Sequence, residues 1–326
     1  MKSIIFIANP VFNSVFQGHT VNGKKMKTKI LLNPYSNRWN SQKRWPTAEA
    51  ALRAAGVEFD LSISEHTDHL VELAAAAVKD GFTTVIVAGG DGSIGEVVNG
   101  AARGWDEKSP FPVTMGIVPL GTANDLGDNI GIPRDFSAVA QMIKNGKTRQ
   151  IDLCKCNERY FLNNSAAGLE PYVTIKQEKI KWISGIPRYL VAAVQAIMEQ
   201  PRWNAKMEWD GGSYEGPISL VSVGNGQRTG GVFFMTPHAN PFDGMLTFIH
   251  GYRSTRLKMF QALPAAMKPG AGNMVEMEGI HELNCTRLSI HLDKTSPAHT
   301  DGELFDHWVS DLEYKIFPAT VPMLMP

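Results

Sequence analysis

In the first half of the chain, short runs of apolar residues alternate with longer segments in which apolar residues recur every three or four positions. Four short apolar runs predict strands, at KILLNP (29–34), EFDLSIS (58–64), TTVIVAGG (83–90) and VTMGIVP (113–119). A helical pattern follows each run, at TAEAALRAAG (47–56), DHLVELAAAAVKDG (68–81), SIGEVVNGAARG (93–104) and FSAVAQMIKNG (136–146). Because strands that alternate with helices are joined by right-handed crossovers, residues 28–151 are predicted to form an α/β domain around a mainly parallel sheet.

After residue 151 the pattern changes to short apolar runs separated by Gly, Asn and Pro turns. The predicted strands are IDLCKC, RYFLNNSAAG, KMEWDG, PISLVSVGNG, MLTFIHG, RLSIHLD and LEYKIFP. Such a pattern is typical of antiparallel sheets, so residues 152–317 are predicted to form an antiparallel β-sandwich domain, interrupted by helical segments near 178–199 and 256–267. Residues 1–27 are interpreted as an N-terminal extension, and the C-terminal tail, about residues 318–326, is expected to pack back on the first domain.

Composition narrows the classes of partner. Lys and Arg number 32 and Asp and Glu also number 32, so no basic excess exists and no nucleic-acid partner is expected. Three cysteines are too few for a disulfide framework, which indicates a reducing, cytoplasmic compartment. Cys154 and Cys156 are predicted to pack in the core, because nothing nearby completes a zinc site. The longest apolar stretch contains Pro187 and Arg188, so no transmembrane segment is predicted.

The candidate chemistry begins where a predicted strand runs into a glycine-rich turn and a helix, VIVAGGDGSIGEVVNG (85–100). Gly89, Gly90 and Gly92 are predicted to adopt backbone angles that other residues resist, which lets amide groups converge on phosphate oxygens at the helix start. A dinucleotide-binding turn is disfavoured, because Asp91 would oppose a pyrophosphate and no acidic residue ends the next strand. A P-loop would need a Lys followed by a Ser or Thr after its last glycine, and this loop does not have them in that order. A tight turn without a ligand is the remaining alternative.

The glycine turn resembles the phosphate loop of a known group of kinases. GGDGS, followed by Glu96, is similar to the loop shared by diacylglycerol kinases, sphingosine kinases and NAD kinases, and more distantly to that of phosphofructokinases. A second strand-to-turn segment, GIVPLGTANDLG (116–127), resembles the GTxND(L/F)A motif of the diacylglycerol kinase catalytic domain. NAD kinases and phosphofructokinases do not carry this motif in the same form. The chain therefore resembles the bacterial diacylglycerol and sphingosine kinase-like lipid kinases, whose first domain has an NAD-kinase-like fold.

This resemblance implies a nucleotide site built from both turns. In the second turn, Gly121 permits a close bend, Thr122 and Asn124 offer hydrogen bonds, and Asp125 can orient a phosphate donor or a hydrated Mg²⁺. Capping of the following helix is the alternative for Asn124 and Asp125. The members implied in the first turn are Gly89, Gly90, Asp91, Gly92, Ser93 and Glu96.

Two further positions are assigned to the nucleotide by the resemblance. Asn33 precedes Pro34 at the end of the first strand, as in the family, but residues 35–39 (YSNRW) replace the family's small residues and glycine. That departure leaves the adenosine contacts of this loop open. Thr67 occupies the place of a family threonine near the nucleotide, and capping of the helix that contains Leu70 is its alternative.

A third segment, PAHTDGELF, lies far along the chain and resembles the DGE segment of bacterial lipid kinases. By this resemblance Asp301 is the carboxylate that takes the proton of the acceptor hydroxyl, and Glu303 and Asp91 complete the catalytic group. A hydroxyl barely ionises at neutral pH, so a carboxylate within hydrogen-bond reach is required as the oxygen meets the γ-phosphorus. A simple Asp-Gly hairpin turn is the alternative.

NPFDGML (240–246) is similar to the family segment that holds a structural Mg²⁺. The resemblance implies Asp243 as the side-chain ligand, with carbonyl oxygens from Met245 and Asn240. One carboxylate with carbonyl oxygens and waters suits Mg²⁺. An Asp-Gly turn without a metal is the alternative.

The function implied is transfer of the γ-phosphate of ATP, with Mg²⁺, to a lipid hydroxyl, on diacylglycerol or a related lipid alcohol. The lipid substrate would be met at the membrane surface by a cytoplasmic, peripheral enzyme, acting alone or as a homodimer. An NAD kinase-like enzyme and a nucleotide-binding regulator without transferase activity are the alternatives. No Lys or Arg is assigned to the phosphates.

Overall fold

The computed structural model describes residues 20–21, 24–25, 27–37, 39–183, 186–199 and 201–326. At the start of this range, β1 (Thr20–Val21) and β2 (Lys24–Lys25) form a two-stranded antiparallel ladder. The greater part of the predicted N-terminal extension, including residues 1–19, lies outside the described residues.

The first domain is built on four parallel strands with helices between them. The strands, in the order β4-β3-β5-β6, are β3 (Thr28–Leu32), β4 (Asp60–Ile63), β5 (Thr84–Gly89) and β6 (Thr114–Pro119). The helices are α1 (Asn40–Ala54), α2 (His69–Lys79), α3 (Asp91–Ala101), α4 (Asp125–Asn129) and α5 (Phe136–Asn145). Every residue of β5 is buried, as a parallel strand covered on both faces requires. The predicted α/β domain is confirmed.

The second domain consists of antiparallel strands in two facing layers. Its strands are β7 (Thr148–Cys156), β8 (Arg159–Phe161), β9 (Asn164–Gly168), β10 (Trp203–Trp209), β11 (Gly212–Ile218), β12 (Leu220–Gly224), β13 (Leu246–Gly251), β14 (Ile280–Cys285), β15 (Arg287–Ser296), β16 (Ala298–Thr300), β17 (Glu303–Leu304) and β18 (Val309–Leu324). One layer has the order β14-β13-β12-β9-β16-β17. Phe248 of this layer packs in one core with Ile290 and Leu312 of the other, and Cys154, Cys156 and Cys285 are buried there as free thiols. The predicted antiparallel second domain is confirmed.

The last strand joins the two domains. β18 pairs antiparallel with β15 and then with β7, and its end pairs parallel with β6 at Met323 and Met115. Strands of both domains therefore belong to one ten-stranded sheet. Val321, Met323 and Leu324 lie in the core of the first domain.

Three helices cover one end of the second domain. In the helical segment predicted near residues 178–199, the structure has α7 (Ile186–Glu199), while α8 (Arg256–Ala266) lies where the second helical segment is predicted. The third helix, α6 (Leu169–Lys179), lies almost entirely before the first segment and was not predicted. Within the described residues, none of the helices combines the length and the apolar character that crossing a bilayer requires.

Candidate active site

The two glycine turns touch each other at the carboxyl ends of β5 and β6. A Cβ atom on Gly121 would overlap the Cα atom of Gly90, and one on Gly90 would lie 3.1 Å from the Cα atom of Gly121. The explanation by unusual backbone angles is wrong, since Gly89, Gly90 and Gly92 all lie outside the left-handed region. Glycine is required at Gly90 and Gly121 because two main chains approach closely.

Helix α3 begins inside the first turn. Its first residue is Asp91, and Gly90 before it offers no side chain to bond the first amide groups. Ser93 is buried, and its Oγ accepts a hydrogen bond from Asn33 Nδ2 at 3.0 Å, while Asn33 Oδ1 accepts one from the Tyr35 amide. These hydrogen bonds hold the start of α3 at the edge of the sheet. The partial positive charge of a helix start favours the binding of an anion there.

Asp91 links the first turn to the second. Its Oδ1 accepts a hydrogen bond at 3.0 Å from the amide of Leu126, in the first turn of α4. Burial, followed by repulsion from Asp125, raises the pKa of Asp91 to about 6. Capping of α4 by Asn124 or Asp125 is wrong, because Asn124 Nδ2 donates to the Gly121 carbonyl oxygen and the Asp125 carboxylate has other partners.

Those partners include an arginine that sequence reasoning missed. Arg228 Nε donates to Asp125 Oδ1 at 2.6 Å, and the Gly231 amide bonds the same carboxylate. Arg228 also pairs with Asp128, which accepts two hydrogen bonds from Arg134. Although burial opposes the change, these hydrogen bonds lower the pKa of Asp128. Asp125 therefore holds Arg228 in place, and no local pattern indicates this because 103 residues separate the two.

Asp301 lies beside α3. It is 3% exposed, and its carboxylate accepts hydrogen bonds from the amides of residues 162–164 at 2.9 to 3.1 Å. A Cβ atom on Gly95 would lie 3.5 Å from Asp301 Oδ2. Burial raises the pKa of Asp301 to about 6, with a further contribution from Asp91. The Asp-Gly turn of the alternative interpretation is also present, since Asp301 and Gly302 join β16 to β17.

Two glutamates extend this acidic group around α3. The Glu303 carboxylate lies so close to Gly92 that a Cβ atom there would overlap it. Burial, followed by repulsion from Glu303 and Asp68, raises the pKa of Glu96 to about 7. The fold thus brings the predicted catalytic residues to the first turns of the helix that begins in the glycine turn, although they come from distant parts of the sequence.

The two predicted threonines differ in their surroundings. Thr122 Oγ1 donates to Asn37 Oδ1 at 2.9 Å, which ties the second turn to the loop after β3. Thr67 is exposed beside α2, and the residue that precedes α2 is Asp68, so capping of this helix by Thr67 is wrong. The contacts of both threonines with a nucleotide stay predictions.

A cleft of about 920 Å³ opens between the two domains next to the second turn. Its lining includes Asn37, Thr122, Arg134, Arg188, Arg228 and His299. A smaller cavity of about 80 Å³ lies among α6, α7 and α8, with an apolar lining that includes Val173, Ile197, Phe233, Met259 and Leu263. Three arginines line the large cleft, and two of them, Arg134 and Arg228, are paired there with Asp125 and Asp128.

Comparison with known proteins places this geometry in a family. A model of the diacylglycerol kinase catalytic domain matches residues 27–156, and a model of the YegS C-terminal NAD kinase beta sandwich-like domain matches residues 164–325. The chain belongs to the diacylglycerol kinase catalytic-domain family.

Relatives of this diacylglycerol kinase family member include enzymes named diacylglycerol kinase from Staphylococcus aureus strains MRSA252 and Newman. Each is 29% identical over 226 residues, which are 69% of this chain and 70% of the relative. A crystal structure described as a diacylglycerol kinase from Bacillus anthracis superposes with a TM-score of 0.68 at 19% identity, covering 92% of this chain and 97% of that one. Another Bacillus anthracis structure of the same kind gives a TM-score of 0.74 at 22% identity. These structures support the fold, and kinase membership implies ATP as the co-substrate.

The segment that the family uses for a structural cation forms a turn before β13. Asp243 Oδ1 accepts a hydrogen bond from the Met245 amide at 2.9 Å, and the Asp243 amide donates to the Asn240 carbonyl oxygen at 3.4 Å. The Gly244 amide bonds Asp152, whose pKa is raised by burial and by the charge of Asp243. One carboxylate with carbonyl oxygens suits a hard divalent cation, so Asp243, Met245 and Asn240 fit Mg²⁺, and the site stays a prediction. Asp152 is a neighbour of this turn that the sequence did not predict.

Proposed function

We propose that the protein transfers the γ-phosphate of ATP to the hydroxyl group of a membrane lipid, diacylglycerol or a related lipid alcohol. The observation that carries the proposal is the position of Asp301. A buried carboxylate from the second domain lies against the helix that starts at the glycine turn of the first. A kinase needs this arrangement of phosphate site and proton acceptor.

The phosphates of ATP would lie on the start of α3 and on residues 121–124. Arg134, Arg188 and Arg228 line the adjoining cleft, where their guanidinium groups can donate hydrogen bonds to phosphate oxygens. Asp125 and Asp128 neutralise the charges of Arg134 and Arg228. Mg²⁺, when bound together with ATP, would neutralise part of the charge that develops during transfer. The protein's own contribution is mainly to position the reactants, because the transition state of phosphoryl transfer is loose.

In the transfer step, the lipid oxygen forms a bond to the γ-phosphorus as the bond from that phosphorus to the β-phosphate oxygen breaks. ADP leaves, and the hydroxyl proton passes to Asp301. Three amide hydrogen bonds occupy part of the acceptor capacity of this carboxylate, which has about four lone-pair sites, and one site remains for the hydroxyl. A pKa raised by burial makes Asp301 a stronger base than an exposed aspartate.

The helices around the apolar cavity offer a route from the membrane. Trp182 is 76% exposed directly after Lys181, and Leu257 is 68% exposed between Arg256 and Lys258. Apolar side chains flanked by basic ones suit the boundary between anionic headgroups and acyl chains. We infer that this surface contacts the bilayer while the lipid enters the cavity.

The test is separation of the products by thin-layer chromatography after incubation of the protein with labelled ATP, Mg²⁺ and a total lipid extract. Asp301→Asn is expected to lower the transfer rate by about 10²- to 10⁴-fold, the usual effect of a general base, and to leave ATP affinity unchanged. Asp306→Asn, at an exposed aspartate nearby, is the matched control.

Parallel arms distinguish the alternatives. Labelled phosphate on added NAD, with none on lipid, would identify an NAD kinase-like enzyme. ATP binding by calorimetry without turnover on any acceptor would identify a regulator. Full transfer by Asp301→Asn would contradict the assignment of the base.

A further inference from the structure

Glu170, near the start of α6, is a buried carboxylate outside the group described above. The residue is 5% exposed, and its Oε1 accepts a hydrogen bond from Asn164 Nδ2 at 3.1 Å. His299 Nε2 lies 3.2 Å from the same oxygen. Oε2 is buried and has no hydrogen-bond partner among the described residues. A buried acceptor without a donor is costly, and a bound molecule can remove that cost.

The protonation of His299 follows from its second contact. The Gly302 amide donates to His299 Nδ1 at 3.4 Å, and an amide can only donate, so the ring proton lies on Nε2 and faces Glu170 Oε1. Oε1 is thus held by two donors. The carboxylate is fixed in orientation, with Oε2 as the atom left for another group.

Glu170 lies where the two cavities meet. Both Glu170 and Tyr189 line the large cleft and also the apolar cavity among the helices. Gly302, which follows Asp301 in the chain, and His299, two residues before Asp301, also line the cleft. A lipid with its chain in the apolar cavity would therefore pass its polar end by Glu170 on the way to the phosphates.

One residue fixes the relation between Glu170 and Asp301. The side chain of Asn164 bonds Glu170, while the Asn164 amide donates to Asp301 Oδ1 and its carbonyl oxygen accepts from the Asp301 amide. Two carboxylates held by one residue can accept hydrogen bonds from two neighbouring groups of one substrate.

We propose that Glu170 determines acceptor specificity, with Oε2 accepting a hydrogen bond from a second donor, a hydroxyl or an ammonium group, on the carbon beside the phosphorylated hydroxyl. This inference rests on the proposed lipid kinase function. The substrate class is then a lipid with two adjacent donors, which a diacylglycerol with its single hydroxyl does not provide.

The test uses three alcohols with the same alkyl chain and the same primary hydroxyl. They carry a hydroxyl, an amino group or only hydrogen on the neighbouring carbon. Loss of a hydrogen bond to a charged group lowers kcat/KM by about 10- to 100-fold. The unmodified protein is therefore expected to prefer one or both of the two-donor alcohols over the single-donor alcohol by that factor. The hydroxyl and amino arms identify which donor is used.

Glu170→Gln is expected to bring the three values of kcat/KM together. The two donors at Oε1 would turn the glutamine oxygen towards themselves and leave its NH₂ group facing the substrate, where it cannot accept. Glu158→Gln, at a highly exposed glutamate, is the matched control.

Equal use of all three alcohols by the unmodified protein would overturn the inference while leaving the lipid kinase function intact, and this result does not depend on whether the variant folds. Retention of the two-donor preference by Glu170→Gln would also overturn it. If neither these alcohols nor any lipid of a total extract received phosphate, the proposed function itself would fail.

Discussion

Arg228→Met tests whether one ion pair holds the cleft together. The side chain of Asp125 is 4% exposed and that of Arg228 is 18% exposed. Loss of one partner of a fully buried pair costs about 3–5 kcal/mol, and an exposed pair contributes about 0–1 kcal/mol. Because Arg228 keeps some contact with solvent, we expect the free energy of unfolding to fall by about 2–3 kcal/mol. Among the described residues, Asp125 would keep the Gly231 amide as its hydrogen-bond donor.

The penalty should depend on pH in a defined direction. Burial already raises the pKa of Asp125, and removal of the Arg228 charge would raise it further. A carboxyl group with a raised folded-state pKa destabilises the fold as pH rises, so the penalty should be larger at pH 8 than at pH 5.5, because protonation of Asp125 is favoured as pH falls. Urea unfolding at both pH values measures it. Arg134→Met, at a side chain that is 49% exposed and bonds Asp128, is the control and should cost less than about 1 kcal/mol. A penalty equal at both pH values, or no larger than that of the control, would refute the reasoning.

Three further results are expected. Gly121→Ala should abolish transfer, because its Cβ atom would force the two turns apart. Gly270→Ala, where a Cβ atom has open space, should leave the transfer rate unchanged. Comparable transfer rates for the two variants would count against the contact between the turns. The value of kcat/KM should fall as pH drops through about 6, because protonation of Asp301 removes the base, and a flat profile between pH 5 and 8 would show that its charge is not needed. Trp182→Ser should weaken co-sedimentation with anionic vesicles, while Ile63→Ser, at an exposed residue of the first domain, should not; equal binding by both variants would remove the proposed membrane surface.

The fold was predictable because its signals are local. The alternation of strand and helix patterns predicted the α/β domain, and short strands separated by turns predicted the antiparallel domain. Helix α6 was missed because its apolar residues do not gather on one helical face and Pro171 lies among them. The tail at residues 318–326 was expected to pack on the first domain, but its pairing with β6 was beyond sequence reasoning, since no local pattern specifies partners more than 200 residues apart.

The candidate site was predictable in its members and less so in their roles. The glycine turns and Asp301 were found from resemblance, yet the reason for Gly90 and Gly121 is a contact between two main chains, which a single sequence does not reveal. Arg228 and Asp152 were missed for the same reason. Their partners come from other parts of the chain, and an isolated Arg or Asp carries no motif.

The place of β18 in the sheet bears on how the chain is made. A ribosome releases the strands of the first domain early, but the open edge of β6 has no neighbour until residues 309–324 emerge. One edge of β15 likewise stays unpaired until β18 emerges. An unpaired edge is a template for association with other chains. Newly synthesised molecules therefore spend most of translation with exposed strand edges, and we expect chaperone dependence to be greatest for chains truncated just before residue 309.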